Sequence, residues 1–238
     1  MEHPATIVTG AGSGIGRATA IALAGRGHAL TLAGRTESKL RDTAAACTAL
    51  GAPEPLVVAG DLADSGISHA VVDRTVAERG RIDALVNCAG SAPLAAIDRT
   101  DEEVIEDAFM NNAFVPAFLI VRAWPHFKGK RAGCVVNVSS LASSDPFHGF
   151  FAYAAAKSAV DSYVRSMHAE GAKLGIRAFC VNPGAIETPM LRKNFPESVL
   201  PAAHALPPEA VAEVIVDCIE GRREQDRGRT IVVKSVRI

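Results

Sequence analysis

The constraint that most narrows what this chain can fold into is the stretch Thr6-Ile7-Val8-Thr9-Gly10-Ala11-Gly12-Ser13-Gly14-Ile15-Gly16, followed by an Ala-, Ile- and Leu-rich segment from Arg17 to Arg26. A short β-branched run, a glycine-dense turn and a helical segment bring backbone N–H groups and a helix N-terminus to one point. Unpaired donors and the positive end of the helix dipole there attract a phosphate. Glycine serves where a side chain would block the backbone from a pyrophosphate, and where φ is positive. The spacing is Gly10-x3-Gly14-x-Gly16 rather than G-x-G-x-x-G. A glycine turn alone is weak evidence, and its flanking strand and helix are what point to a nucleotide.

The same alternation continues. Strands are predicted at 6–9, 29–33, 56–59, 82–87, 134–138, 176–181 and 230–233. Helices are predicted at 17–26, 37–50, 68–79, 101–127, 152–174 and from about 208 to 220. Thr100-Asp101 offers a Ser/Thr/Asp-type start to the fourth helix, and Pro116 must bend or interrupt it. The strands are continuous apolar runs, as expected of a parallel sheet covered on both faces by helices. Ligands in such a sheet collect at the carboxyl ends of the strands, where the strand order reverses. Gly10, Gly34, Asp61, Asn87, Ser139, Ser140 and Pro183 all fall just past strand ends and would gather along one edge.

At 238 residues and 48% apolar content, the chain can bury a large core as one domain spanning 1–238. A formal charge of −1 gives no electrostatic case for nucleic acid or an anionic membrane. No apolar run approaches the roughly 18 residues of a membrane span, and the first strand begins too early for a signal peptide. The five cysteines are scattered and never spaced C-x-x-C, which argues against a disulfide or zinc framework. A cytoplasmic location is expected.

Tyr153 and Lys157 lie four apart on a predicted helix, on one face. A phenol with a pKa near 10 is a poor base at neutral pH, and an adjacent ammonium stabilises its phenolate. Taken alone, Tyr-x3-Lys is an ordinary helix-surface pair. Its context is Thr9-Gly10-x3-Gly14-x-Gly16, Asp61-Leu62, Asn87-Cys88-Ala89-Gly90, Asn112, Ser140 and Asn182-Pro183-Gly184-Ala185-Ile186-x-Thr188, in that order. Together these resemble the short-chain dehydrogenase/reductase family over nearly the whole chain. Cys88 departs from that family's usual Asn-Asn-Ala-Gly.

The resemblance implies a Rossmann-type, doubly wound α/β fold with one parallel sheet of about seven strands. It also implies an oxidoreductase acting on a carbonyl or secondary alcohol. Tyr153 would be the general acid/base and Lys157 would lower its pKa and hold the nicotinamide ribose. Ser140 would hydrogen-bond the substrate oxygen, and Asn112 would hold a water linking Lys157 to solvent. Alternatively, Asn112 satisfies helix backbone near Pro116. The cofactor set implied is Gly10, Ser13, Gly14, Ile15, Gly16, Arg35, Asp61, Leu62, Asn87, Ala89, Gly90, Pro183, Gly184, Ile186 and Thr188, with Tyr153 and Lys157. Asp61 would bind the adenine edge, unless it only caps a helix.

The second strand ends Ala33-Gly34-Arg35, with glycine where NAD enzymes place an acid. Arg35 suits a 2′-phosphate, unless it is merely a solvated surface arginine, so the reading favours NADP(H), with NAD(H) the alternative. Phe147, His148, Phe150 and Phe151 are candidates for an apolar pocket or for core packing. The segment Leu191–Leu206 is a candidate flap, whose Arg192 and Lys193 meet an anion or solvate the loop. A small-molecule carbonyl or alcohol is the expected substrate. A homodimer or homotetramer is implied through the two long helices, although Val233-Lys234-Ser235-Val236 replaces the family's usual tail at the tetramer contact. Two other readings stay open: a non-catalytic nucleotide-binding regulator, and an NAD-linked alcohol, sugar or steroid dehydrogenase.

Overall fold

The computed structural model describes residues 3–235, so Val236 of the tail lies outside the described residues. The strands are β1 (Ala5–Thr9), β2 (Ala29–Gly34), β3 (Leu56–Ala59), β4 (Ala84–Asn87), β5 (Gly133–Val138), β6 (Ile176–Pro183) and β7 (Thr230–Val233). They form one seven-stranded sheet in the order β3-β2-β1-β4-β5-β6-β7, parallel throughout. The chain steps outward from β1 to β3, then crosses back to lay β4 on the other side of β1. That reversal opens a crevice beyond Thr9 and Asn87.

The helices are α1 (Gly14–Ala24), α2 (Glu37–Ala49), α3 (Ser65–Arg79), α4 (Glu102–Phe109), α5 (Val115–Lys130), α6 (Phe151–Gly171), α7 (Pro189–Asn194) and α8 (Pro208–Ile219). Successive strand residues point to opposite faces, and each face buries its own core. Val8, Leu32, Val86 and Val136 meet Leu23 of α1, Leu40 of α2 and Ile215 of α8. Ile7, Leu85, Val135 and Ala178 meet Val71 of α3, Leu119 and Phe127 of α5, and Val160 of α6.

Several boundaries differ from the sequence expectation. The first helix starts at Gly14, inside the glycine turn, so the turn and the helix N-terminus are one feature. The helix after β3 starts at Ser65, because Asp64 caps it by accepting from the Gly66 N–H. Of the expected Thr100-Asp101 start, Asp101 caps α4, accepting from the Val104 N–H at 2.9 Å. The predicted 101–127 helix is interrupted by a π-turn, Met110–Phe114, in which the Val115 N–H bonds to the carbonyl of Met110. Pro116, with no N–H for the carbonyl four residues back, stands just after this wide turn, in the first turn of α5. The region 183–208 is less irregular than expected, containing α7 and a 3-10 turn at Ala202–His204.

Joined end to end, Glu102–Lys130 is long and apolar enough to cross a membrane by length and hydropathy, against the expectation that no segment reaches that size. The π-turn joins α4 to α5, so the single long run expected at 101–127 continues past Pro116 to Lys130. Leu119, Ala123 and Phe127 are buried against the sheet, while Phe114, Phe118 and Val121 remain exposed.

Candidate active site

Gly16 belongs to α1, yet a Cβ there would run into the carbonyl oxygen of Gly10. Gly10 itself has φ +64°, and a Cβ on it would press on the backbone of Ala89 at 3.0 Å. The helix start therefore lies directly on the ends of β1 and β4. Ser13, at the N-cap of α1, makes no side-chain capping bond, so a bound anion could take over the role of the missing cap. Gly14 faces Thr188, whose methyl would lie 3.0 Å from an added Cβ. Thr188 meanwhile caps α7, accepting from the Leu191 N–H at 3.2 Å. Bare backbone on one side and a capping threonine on the other form a cradle of the kind a pyrophosphate fits.

Thr9 ties the two strand ends together. Its hydroxyl oxygen accepts from the N–H groups of Cys88 and Ala89, both at 3.0 Å. Cys88 contributes to this clasp only through its main chain, which explains why cysteine is tolerated there. Behind it, the Asn87 amide donates to Asn137 Oδ1 at 2.9 Å in the buried centre of the sheet.

Asp61 is exposed and accepts from the Ala63 N–H at 3.0 Å. The helix cap falls to Asp64 instead, so capping does not account for Asp61. Leu62 is buried. Arg35 is exposed just past β2, as is Lys39 on the next helix. A Cβ at Gly12 would lie 3.1 Å from Lys39 Cβ, so the stem of this lysine rests against the glycine turn. Sequence reading passed over Lys39 because only the packing of α2 brings it there.

Tyr153, Lys157 and Asn112 are all buried. Lys157 Nζ donates to the Val138 carbonyl at 2.9 Å and lies 5.8 Å from the centre of the Tyr153 ring. Gly90 stands between two elements here: a Cβ on it would be 2.6 Å from Asn112 Oδ1 and 3.6 Å from Lys157 Nζ. The Asn112 amide donates to the Ala108 carbonyl at 2.8 Å, so it does satisfy helix backbone. Its Oδ1, however, is buried without a partner among the described residues, and an acceptor so placed calls for a water or ligand donor. The helix-backbone role is thus met by the amide end of Asn112, and the oxygen end is left open.

Burial pushes the Tyr153 phenol above its usual range and a hydrogen bond from Ser140 pulls it partly back, so the lowering by Lys157 that the resemblance implies is not seen here. Burial pushes Lys157 down to about 8. Ser140 Oγ accepts from the Ala142 N–H at 3.2 Å, which leaves its own proton for the phenol.

Phe150 touches Tyr153 edge-on at 5.8 Å, Phe147 edge-on at 5.9 Å and Phe195 face-to-face at 6.3 Å. Phe150 and Phe195 flank the phenol, whereas Phe147, His148 and Phe151 are exposed, Phe147 touching only the edge of Phe150. Arg192 neither awaits an anion nor solvates the loop. It pairs with Glu187 and donates to the carbonyls of Phe195 and Leu200 at 3.2 and 2.6 Å, cinching the candidate flap. Lys193 is exposed. Pro183 and Ile186 are buried, and Gly184 lies against Ser235.

A family model described as short chain dehydrogenase matches residues 4–198. The chain is 32% identical over 206 residues to glucose and ribitol dehydrogenase homolog 2 of Arabidopsis thaliana, covering 84% of this chain and 71% of that protein. Among solved structures, levodione reductase superposes with TM-score 0.91 at 24% identity, over 97% of this chain and 96% of that one. A single-residue variant of actinorhodin polyketide ketoreductase, solved with NADPH, gives 0.91 at 24% identity, over 98% and 96%. At that identity the structural likeness speaks for the fold.

Proposed function

Because the chain belongs to the short-chain dehydrogenase family of NAD(P)-dependent oxidoreductases, we propose that it interconverts a small or medium-sized ketone and its secondary alcohol using NADP(H). The bound nicotinamide would supply or accept the hydride. Gly10, Ser13, Gly14, Ile15, Gly16 and Thr188 would hold the pyrophosphate. Asp61 and Leu62 would flank the adenine, with Asn87, Ala89, Gly90, Pro183, Gly184 and Ile186 along the rest of the crevice. Two cations at the end of β2, Arg35 and Lys39, with no carboxylate at Gly34, support a 2′-phosphate over a bare ribose.

In reduction, Tyr153 gives its proton to the substrate oxygen, while the Ser140 hydroxyl steadies the charge gathering there. Lys157 stabilises the phenolate left behind and holds the ribose beside it. The partnerless Oδ1 of Asn112 supports a water that reprotonates this pair from solvent. In oxidation the same groups run in reverse, with Tyr153 as base. The aromatic pair Phe150 and Phe195 favours an apolar substrate body. The exposed Phe114 of the π-turn and Phe118 and Val121 of α5 support self-association into a dimer.

One observation carries the reading: a serine hydroxyl, a buried phenol and a buried ammonium converge beside a glycine cradle. The test is NADPH oxidation with a panel of small ketones, comparing wild type with Tyr153→Phe. Loss of turnover by about 100-fold or more with NADPH binding retained supports it. NADPH binding with no turnover, unaffected by Tyr153→Phe, favours the regulatory reading instead.

A further inference from the structure

The serine of the site is held from behind by a cluster that the reaction as proposed does not use. Asp161 lies on α6, four residues past Lys157 and eight past Tyr153, with its side chain turned toward the end of β6. Its carboxylate accepts from the Ser143 hydroxyl at 2.7 Å, from Cys180 Sγ at 3.1 Å and from the Asn182 amide at 3.1 Å. Asn182 Nδ2 also donates to the main-chain carbonyl of Ser140 at 3.1 Å. Ser143 Oγ lies 2.8 Å from that same carbonyl. A hydroxyl has one proton, and the charged carboxylate at 2.7 Å is its better acceptor. Asn182 Nδ2 also lies 2.9 Å from Ser143 Oγ, and its two amide protons are shared among Asp161, Ser143 and the Ser140 carbonyl. On the far side Ser158 Oγ lies 2.9 Å from the carbonyls of both Ser143 and Ala154, and its one proton is shared between them.

We infer that Asp161 is a positioning residue for the reaction: by orienting Asn182 and Ser143, it fixes the turn that carries Ser140 and so sets the serine hydroxyl against Tyr153. One helix then bears the phenol, the ammonium and the anchor of the serine turn, so the three reacting groups share a single rigid frame. This rests on the reaction proposed above, since it concerns the serine that reaction employs.

A second consequence of the same carboxylate concerns Lys157. Burial lowers the lysine, and Cys180, Cys88 and Asp161 oppose it, with Tyr153 and the Val138 carbonyl as its other near neighbours. Burial pushes Cys88 up to about 12 and Cys180 well above a free thiol, so both are neutral near pH 7. Asp161 is then the acid in that set that can help keep the ammonium charged.

The test uses the full chain with Tyr163→Phe, which leaves Tyr153 as its one tyrosine, and follows tyrosinate absorbance as pH rises. Asp161→Asn is expected to raise the Tyr153 midpoint by about half a pH unit or more, as loss of a hydrogen bond to the phenolate requires. Asp161→Glu should restore most of it. Once Ser140→Ala is present, Asp161→Asn should add nothing. In parallel, reduction of cyclohexanone, acetophenone and 2,3-butanedione with NADPH should lose kcat about tenfold in Asp161→Asn, with KM changed less than about twofold.

An unchanged midpoint, or a full Asp161→Asn effect persisting beside Ser140→Ala, overturns the inference. If Asp161→Asn does not fold by circular dichroism, Ser143→Ala removes one strut and is judged by the same criteria. If the wild type reduces none of the three ketones, that counts against the proposed reaction, and the absorbance arm decides this inference alone.

Discussion

The Lys157 ammonium donates a 2.9 Å hydrogen bond to the carbonyl oxygen of Val138, the residue that ends β5. That contact holds the lysine in a buried corner where its charge is disfavoured, and its pKa falls from 10.5 to about 8. Below pH 8 both folded and unfolded chains are protonated at this residue, so the fold bears the full cost. Between about 8 and 10.5 the unfolded chain binds the proton more readily, and stability at this site rises with pH. Lys157→Met should therefore abolish turnover yet raise stability near pH 7, by up to about 3 kcal/mol. The gain should shrink as pH climbs past 8 and vanish above about 10.5. Denaturant unfolding at pH 7, 9 and 10.5 checks this, and a variant less stable than wild type at pH 7 would count against it.

Gly16→Ala should damage both fold and cofactor site. Its new methyl meets the Gly10 carbonyl, backbone that cannot rotate away. We expect a loss of roughly 1–3 kcal/mol and NADPH affinity too weak to saturate. A thermal melt and a fluorescence titration with NADPH would show it.

Cofactor preference should turn on Arg35. Arg35→Glu places a carboxylate beside the expected 2′-phosphate, and NADP⁺ affinity should fall about 10- to 100-fold, the range for losing a charge-assisted contact. NAD⁺ affinity should hold or improve. Calorimetry with both nucleotides reads this, and equal losses for the two would assign Arg35 to the solvated surface.

His28 is buried with its Nδ1 2.8 Å from Thr6 Oγ1. Desolvation lowers its pKa from 6.5, with Glu220 and Asp83 only partly offsetting it. As pH falls through about 6.5, the unfolded chain takes up a proton that the folded chain resists. Stability from this site is thus complete above pH 6.5 and declines below it. Melting temperatures between pH 8 and 5 should drop on the acid side, and His28→Gln should flatten that slope.

Much of this was legible in the chain because glycine, proline and continuous apolar runs act locally. The alternation of strands and helices gave the parallel sheet, and the order of short motifs gave the family. What escaped was non-local. Lys39 reaches the glycine turn only once α2 packs there, and Asp161 meets Asn182 only once β6 lies beside α6. A hint of Asp161 did exist, in its spacing of four from Lys157 on one helix. The long helix was legible with a bend or interruption at Pro116, but the wide turn at Met110–Phe114 was not, because it has no sequence signature of its own. The candidate roles of Arg192 and Phe151 failed for a related reason: which way a loop side chain turns depends on neighbours distant in sequence.

The π-turn at Met110–Phe114 carries a consequence for how this corner could be altered. Each residue of an ordinary helix advances the chain by about 100° around its axis, and the extra residue in the wide turn sets the azimuth at which Asn112 faces Gly90. Shortening the turn by one position would leave every side chain of the corner in the polypeptide, yet swing that amide out of register with the lysine. Insertions and deletions here, more than substitutions, are the changes that would dismantle the corner while leaving its chemistry intact on paper.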